Sequence, residues 1–175
     1  MTDKIAQQAG TIKLLILDVD GVLTDGRLYF DNLGNEMKTF STLDGHGIKL
    51  LQRAGVKVGI ITGRTSDLVA RRARDLGIEL IIQGREDKWA ALSEQLPELG
   101  IAPEHIACMG DDWPDLAIMT RVGLALSVPN AHPAVIERAH WVSQRQGGGG
   151  AVREACDMIM QAQNSYQAAL AAYLP

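Results

Sequence analysis

The sequence predicts an α/β fold, a Rossmann-like doubly wound parallel sheet, and two observations carry the prediction. Apolar runs of strand length alternate with segments of helical periodicity along most of the 175 residues, which is typical of parallel strands joined by right-handed helical crossovers. The first run, residues 14–17, is an unbroken LLIL, as expected of a strand that is covered on both faces. A chain of this length can form one core, so we expect a single domain over residues 1–175.

The individual elements follow from local signals. Strands are expected at residues 14–17, 56–61, 80–82, 105–109, 123–128 and 141–142. Helices are expected at residues 44–54, 66–76, 87–96, 114–121 and 133–139, and one Ala-rich helical tail at 151–175. A turn-forming DNLG segment between two short arms of mixed polarity predicts an inserted β-hairpin at about residues 27–40.

The composition excludes several classes of protein. The net charge is −4 and no basic run is present, so no nucleic-acid partner is expected. No apolar run approaches the length of a membrane span, and residues 1–10 lack the apolar core of a secretion signal. We therefore expect a cytoplasmic protein with no membrane partner. The two cysteines and four histidines lack metal-site spacing.

Polar residues follow three of the predicted strands and begin one helix. In chain order they are Asp18 and Asp20, Thr62, Lys88, and Asp111 with Asp112 and Asp115. Open α/β sheets place their chemistry at the carboxyl ends of the strands, so we expect these side chains to share one edge. Crowded carboxylates repel one another unless a cation or a proton offsets their charge, and Mg²⁺ prefers oxygen ligands.

This set of groups suits the Mg²⁺-dependent hydrolysis of a phosphate monoester. One carboxylate can attack phosphorus to form an aspartyl-phosphate, while a hydroxyl and an ammonium hold the phosphoryl oxygens. Each residue alone also has a structural interpretation. Thr62 can be an ordinary strand end, Lys88 a solvated residue at a helix start, and Asp112 the cap of the helix at Pro114.

The same residues make the chain resemble the haloacid dehalogenase-like phosphatases, whose four motifs occur here in order. They are DVDG at 18–21, ITG at 61–63, Lys88, and GDDWPD at 110–115. The resemblance is greatest to the branch that hydrolyses 3-deoxy-D-manno-octulosonate (KDO) 8-phosphate, through DVDGVLTDG at 18–26, DGHGI at 44–48, IITGR at 60–64 and GAVREACD at 150–157. It implies a phosphomonoesterase that forms an aspartyl-phosphate and serves lipopolysaccharide precursor synthesis.

The resemblance also implies a role for each matched residue. Asp18 would be the nucleophile, and Asp20 the acid and base that protonates the departing sugar oxygen and then activates water. Mg²⁺ would be bound by Asp18, by the backbone carbonyl of Asp20 and by Asp111, with support from Asp112 or Asp115. Thr62 and Lys88 would hold the phosphoryl group.

On the substrate side, the segments between the motifs are too short for a cap domain, so the site should be open in one subunit. The hairpin at 27–40 is rich in apolar residues, and by resemblance it would join subunits in a homotetramer; the alternative is that it folds back on its own sheet. The sugar acid would be contacted by Lys88 and by a second group of residues: Ser41, Thr42, Leu43, Asp44, Gly45, Lys49, Arg64 and Arg72. Lys49 and Arg72 can also be exposed helix charges.

Several alternatives remain at this point. The relatives commonly carry an arginine where this chain has Gly149, so the substrate could instead be a nine-carbon keto sugar phosphate, such as KDN or sialic acid 9-phosphate. The glycine run at 147–150 could be a hinge or a flexible link. A phospho-accepting receiver-like signalling module also uses acids, a threonine and a lysine on a parallel sheet, but it carries the accepting aspartate on a middle strand and not on the first. An inactive oligomeric scaffold would keep the fold alone, and the intact acids at 18, 20 and 111 argue against it.

Overall fold

The computed structural model of the protein describes residues 2–175. Its centre is a six-stranded sheet in the order β5-β4-β1-β6-β7-β8, with every neighbouring pair parallel. The strands are β1 (Leu14–Leu17), β4 (Lys57–Ile61), β5 (Leu80–Ile82), β6 (Ile106–Gly110), β7 (Leu124–Ser127) and β8 (Trp141–Val142). The predicted Rossmann-like parallel sheet is confirmed.

The strand order places a crevice beside the central strand. The chain runs outward from β1 through β4 to β5 and then returns to the other side of β1 as β6. Open α/β sheets bind ligands at such a switch point, beyond the carboxyl ends of the strands. All four residues of β1 are at most 1% exposed, so the strand that carries Asp18 is fixed by burial on both faces.

Two groups of mutually packed helices flank the sheet. The first consists of α1 (Asp3–Gly10), α2 (Thr42–Arg53) and α8 (Ala151–Ala162), and α3 (Asp67–Leu76) contacts α2. The second consists of α4 (Lys88–Ser93), α5 (Leu96–Leu99), α6 (Trp113–Met119) and α7 (Pro133–Ile136). A last helix, α9 (Tyr166–Ala171), packs on α8.

The inserted hairpin is present and small. Strands β2 (Tyr29–Phe30) and β3 (Glu36–Met37) pair antiparallel, apart from the six-stranded sheet. Within residues 2–175, the regular elements between Asp20 and Thr62 are the end of a short helical turn (Val19–Leu23), this hairpin, α2 and β4, and those between Thr62 and Lys88 are α3 and β5. The expected capless architecture agrees with this spacing.

Two expectations about the helices were wrong, and one helix had no expectation. Helix α1 was not anticipated. The tail at 151–175 is two helices, because Asn164 adopts a left-handed conformation (φ 59°) between α8 and α9. The helix expected over 87–96 ends at Ser93, and α5 begins separately with Pro97 in its first turn, where a proline is tolerated.

Candidate active site

Three carboxylates converge at the carboxyl edge of the sheet. Asp18 follows β1, Asp111 follows β6, and Asp115 lies in the first turn of α6. One oxygen of each lies within 4.8 Å of the others. The pairing of β1 with β6 positions Asp18, because its backbone N–H donates to the Met109 carbonyl of β6 (3.1 Å). The cluster contains three of the carboxylates predicted for the site.

Lys88 supplies a positive charge to this cluster. Its ammonium donates to Oδ1 of Asp18 and to Oδ1 of Asp115, both at 2.6 Å, and the three side chains are at most 9% exposed. Burial lowers the pKa of Lys88, but the charges of Asp18 and Asp115 outweigh burial and raise it overall. Lys88 is therefore a charged member of the site and not a solvated helix-start residue.

The cluster still carries more negative charge than one lysine offsets. Burial, with the nearby charge of Asp115, raises the pKa of Asp18 to about 6. Burial, with the charges of Asp18 and Asp115, raises the pKa of Asp111 to about 8. Such shifts mean that ionising Asp18 and Asp111 together is unfavourable in the protein alone. An all-oxygen donor set with excess negative charge fits Mg²⁺.

Asp115 organises the loop that carries Asp111. Its Oδ2 accepts from the backbone N–H groups of Asp111 (3.0 Å) and Asp112 (3.2 Å). A Cβ at Gly110 would overlap the Asp115 side chain, so this approach requires glycine. Asp112 instead accepts from the Trp113 N–H (2.8 Å) and caps α6, and its carboxylate is outside the three-carboxylate cluster.

Glycines allow the turn after Asp18 to pack closely against Asp111 on one side and against the glycine run on the other. Gly21 has φ +100°, and a Cβ there would overlap the Asp111 carboxylate. Asn130 links the turn to the glycine run, since its Nδ2 donates to the Gly21 carbonyl (3.0 Å) and its Oδ1 accepts from the Gly147 N–H (2.9 Å). Gly148 donates to the Val22 carbonyl (3.0 Å). The glycine run is thus packed on the turn, where a hinge or a flexible link had been considered.

A second charge cluster surrounds Asp20. The Lys38 ammonium contacts Asp20 Oδ1, and Arg64 Nε lies 3.7 Å from Asp20 Oδ2. Glu36 joins both cations, at 2.8 Å from Arg64 Nη2 and 3.5 Å from Lys38 Nζ. Lys38, Glu36, Asn130 and Gly147 were not anticipated as site residues. The alternation of Glu36 and Lys38 along a predicted hairpin arm was a signal that the two share a face.

Thr62 and Arg64 are both at the tip of β4, next to β1. Thr62 is 3% exposed and donates its backbone N–H to the Ile82 carbonyl (3.0 Å). Arg64 is half-exposed beside Asp20. The structure therefore brings these two residues to the same edge as the carboxylates.

The residues expected at the sugar differ in exposure: some side chains face solvent and others are buried. Leu43 and Thr42 are exposed on the first turn of α2, and Lys49 is exposed about two turns further along the helix. Ser41 is the cap of α2, accepting from Asp44 N–H (3.4 Å). These side chains are free to face a ligand, except for the capping hydroxyl.

Asp44, Gly45 and Arg72 pack against other parts of the protein beneath the start of α2, whereas direct contacts with the sugar were expected of them. Asp44 is 1% exposed, and its Oδ1 accepts from the Arg153 N–H at the start of α8 (2.8 Å). Burial outweighs these backbone bonds and raises its pKa. Arg72 donates to the Ser41 carbonyl (3.1 Å), lies over the Phe40 ring, and occupies the space that a Cβ on Gly45 would need.

Comparison with known proteins gives consistent matches over nearly the whole chain. A family model described as haloacid dehalogenase-like hydrolase matches residues 72–154. The curated 3-deoxy-D-manno-octulosonate 8-phosphate phosphatase of Escherichia coli K12 is 47% identical over 159 residues, which cover 91% of this chain and 85% of that protein. The enzyme of the same name from Yersinia pestis is 45% identical over 169 residues, covering 97% and 90%.

Solved structures match as closely. A probable phosphatase of the YrbI family from Pseudomonas syringae has a TM-score of 0.98 and 50% identity, with 99% of each chain covered. The 3-deoxy-D-manno-octulosonate 8-phosphate phosphatase of Moraxella catarrhalis, solved with a magnesium ion, a phosphate ion and KDO, has a TM-score of 0.96 and 42% identity, with 99% of each chain covered.

In residues 2–175 we find no helix of the length and apolarity that crossing a bilayer requires.

Proposed function

Because this chain belongs to the haloacid dehalogenase-like hydrolases, in the family of the 3-deoxy-D-manno-octulosonate 8-phosphate phosphatases, we propose that it hydrolyses KDO 8-phosphate to KDO and phosphate with Mg²⁺. The observation that carries the proposal is the buried contact of Asp18 with Lys88, beside Asp111 and Asp115. The 47% identity to the Escherichia coli phosphatase supports the choice of substrate.

Asp18 is the nucleophile in this proposal. Its carboxylate oxygen attacks phosphorus, the bond from phosphorus to the sugar oxygen breaks, and an aspartyl-phosphate remains on Asp18. With a pKa of about 6, Asp18 is mostly ionised at neutral pH and able to attack. Lys88 and the Thr62 hydroxyl hold phosphoryl oxygens while charge redistributes.

Asp20 moves the proton in both steps. It gives a proton to the departing sugar oxygen, which leaves as the KDO hydroxyl, and then takes a proton from the water that attacks the aspartyl-phosphate. That attack breaks the bond between phosphorus and the Asp18 oxygen, releases phosphate and restores both carboxyl groups. Asp115 holds the Asp111 loop in place through its two backbone bonds.

Mg²⁺ would be held by Asp18, Asp111 and the backbone carbonyl of Asp20, with Asp115 and Asp112 supporting the loop. When bound, the ion offsets the charge of the carboxylates and of the phosphoryl oxygens. The excess negative charge of the three-carboxylate cluster supports this assignment.

The sugar acid meets residues at the rim of the same edge. Arg64, half-exposed beside Asp20, is placed to grip the carboxylate of KDO with two parallel hydrogen bonds. Thr42, Leu43 and Lys49 offer exposed side chains on α2, and Lys88 reaches the phosphoryl end. Ser41, Asp44, Gly45 and Arg72 act indirectly by fixing the loop.

The assembly is a homotetramer in which the hairpin joins subunits. Four apolar side chains on the hairpin are 47–87% exposed, namely Leu28, Phe30, Leu33 and Met37, and a patch of this kind favours a protein interface. A capless site needs neighbouring subunits to exclude water from the reaction. We place the enzyme in the cytoplasm, where its two buried thiols stay reduced.

Phosphate release from a panel of keto sugar phosphates, with Mg²⁺ or with a chelator, tests this function. We expect many turnovers with KDO 8-phosphate, dependence on Mg²⁺, and loss of turnover in Asp18→Asn. Faster turnover of KDN 9-phosphate or sialic acid 9-phosphate would show that the preferred substrate is a nine-carbon keto sugar phosphate. Stoichiometric labelling without turnover would indicate a receiver-like module instead.

A further inference from the structure

We infer that Lys38, the residue that follows the hairpin strand β3, is a positioning residue that fixes the Asp20 carboxylate for proton transfer. The inference rests on the proposed function, in which Asp20 exchanges protons with the sugar oxygen and with water. Lys38 lies outside every motif that identified the site, and no step of the mechanism above uses it.

Lys38 is buried in a way that only its partners explain. Its side chain is 2% exposed, although the residue belongs to an otherwise exposed hairpin. Taking an ammonium out of water is unfavourable unless opposite charges compensate for it. Those charges come from Asp20, in direct contact, and from Glu36, whose Oε1 lies 3.5 Å away.

The contacts distinguish the two oxygens of Asp20. Oδ1 is bonded to Lys38. Oδ2 has Arg64 Nε at 3.7 Å, which is beyond a hydrogen bond. Lys38 therefore anchors one oxygen and leaves the other available to exchange a proton. A general acid works only within hydrogen-bond reach of its target, so fixing this orientation contributes directly to the rate.

Glu36 contacts both cations that lie beside Asp20, and so helps to hold Lys38 and Arg64 in place. It bonds to Arg64 at 2.8 Å and lies near Lys38. The two acids, Asp20 and Glu36, therefore each lie between the two cations. Two of the four residues, Glu36 and Lys38, come from the hairpin arm, while Asp20 and Arg64 follow β1 and β4. The hairpin thus reaches the acid and base of the reaction, in addition to the contact between subunits proposed for it.

The test compares Lys38→Met with Lys57→Met. Lys57 is an exposed lysine at the start of β4, the end of that strand away from Thr62 and Arg64. With KDO 8-phosphate, we expect kcat of Lys38→Met to fall by about 10–100-fold, with KM changed by less than about threefold. General acid–base catalysis contributes about 10²–10⁴-fold, and this variant misplaces the Asp20 carboxylate without removing it. Lys57→Met should keep the wild-type kcat. Lys38→Arg, which retains the cation, should recover part of the loss and remains informative if Lys38→Met folds poorly.

A nitrophenyl phosphate separates positioning from a general structural effect. Nitrophenolate leaves without a proton, so Asp18 should still be phosphorylated in Lys38→Met, with a burst of about one nitrophenol per site followed by slow hydrolysis. An unchanged kcat with KDO 8-phosphate, or loss of the burst together with the steady rate, would overturn the inference. Absence of turnover by the wild-type protein on every monoester would overturn the proposed function itself, and this inference with it.

Discussion

The Lys88 ammonium lies 2.6 Å from an oxygen of Asp18, although the two residues are 70 positions apart in the chain. The same ammonium lies 2.6 Å from Asp115 on a third element. One side chain therefore joins the ends of β1 and the starts of α4 and α6. The packing of the fold and the chemistry of the site depend on this shared charge.

Replacing Lys88 with methionine should destabilise the protein as well as inactivate it. The variant leaves Asp18 and Asp115 buried without a counter-charge, and breaking a buried pair in this way typically costs about 3–5 kcal/mol. Urea unfolding with a chelator present measures the free energy of unfolding. The exposed Lys4→Met is the control and should change it by less than about 0.5 kcal/mol. A loss for Lys88→Met as small as that of the control would contradict the buried pairing.

Without Mg²⁺, the protein should lose stability as pH rises from about 4 towards about 8. In the folded protein the pKa of Asp18 is about 6 and that of Asp111 about 8, whereas both have an ordinary value of 3.8. Between these limits the folded state binds more protons than the unfolded state, so the free energy of unfolding falls as pH rises. Thermal melts with a chelator at the two ends of this range measure the slope.

Asp111→Asn is the matched variant for this effect. Removing the charge should flatten the slope and raise the melting temperature near pH 8 by a few degrees, while abolishing the stabilisation that Mg²⁺ gives to the wild type. A variant that melts like the wild type across the whole range, with or without Mg²⁺, would show that the three carboxylates are not crowded.

Gly147 and Gly149 form a matched pair in the glycine run. A Cβ on Gly147 would overlap the carbonyl of Gly21, whereas the nearest atom to a Cβ on Gly149 is 3.1 Å away, on Gln146. Gly147→Ala should displace the turn after Asp18, reduce kcat and destabilise by about 1–3 kcal/mol, the range for overpacking. Gly149→Ala should change stability by about 0.5 kcal/mol or less. Equal effects of the two variants would show that the run is not packed on the turn.

Charged residues on the hairpin should dissociate the subunits. Phe30 and Met37 are both 59% exposed, so Phe30→Asp with Met37→Lys changes the proposed interface without touching the core. Sedimentation velocity at micromolar concentration should show tetramers for the wild type and smaller species for the variant. A wild-type protein that sediments as a monomer would defeat the hairpin interface.

Local signals in the sequence were sufficient for the central features. The unbroken apolar run before Asp18 and the glycine after Asp20 predicted the strand, the turn and the edge at which the acids meet. The DNLG segment predicted the hairpin that β2 and β3 form. These predictions succeeded because each depends on burial or turn chemistry within a few residues.

Long-range pairing could not be predicted from the sequence in this way. Asp44 bonds the backbone of Arg153, 109 residues away, so its burial depends on how α2 and α8 pack. Lys38 reaches Asp20 only after the hairpin has folded over the site. The break at Asn164 was also missed, because asparagine tolerates a left-handed conformation but does not require it.

The proposed function depends above all on the phosphorylation of Asp18 during turnover. Acid quenching of the wild-type protein while it hydrolyses KDO 8-phosphate with Mg²⁺, followed by peptide mass spectrometry, measures this directly. We expect a single phosphoryl group on the peptide that contains Asp18, and none in Asp18→Asn. A phosphoryl group on another residue, or full turnover by Asp18→Asn, would contradict it.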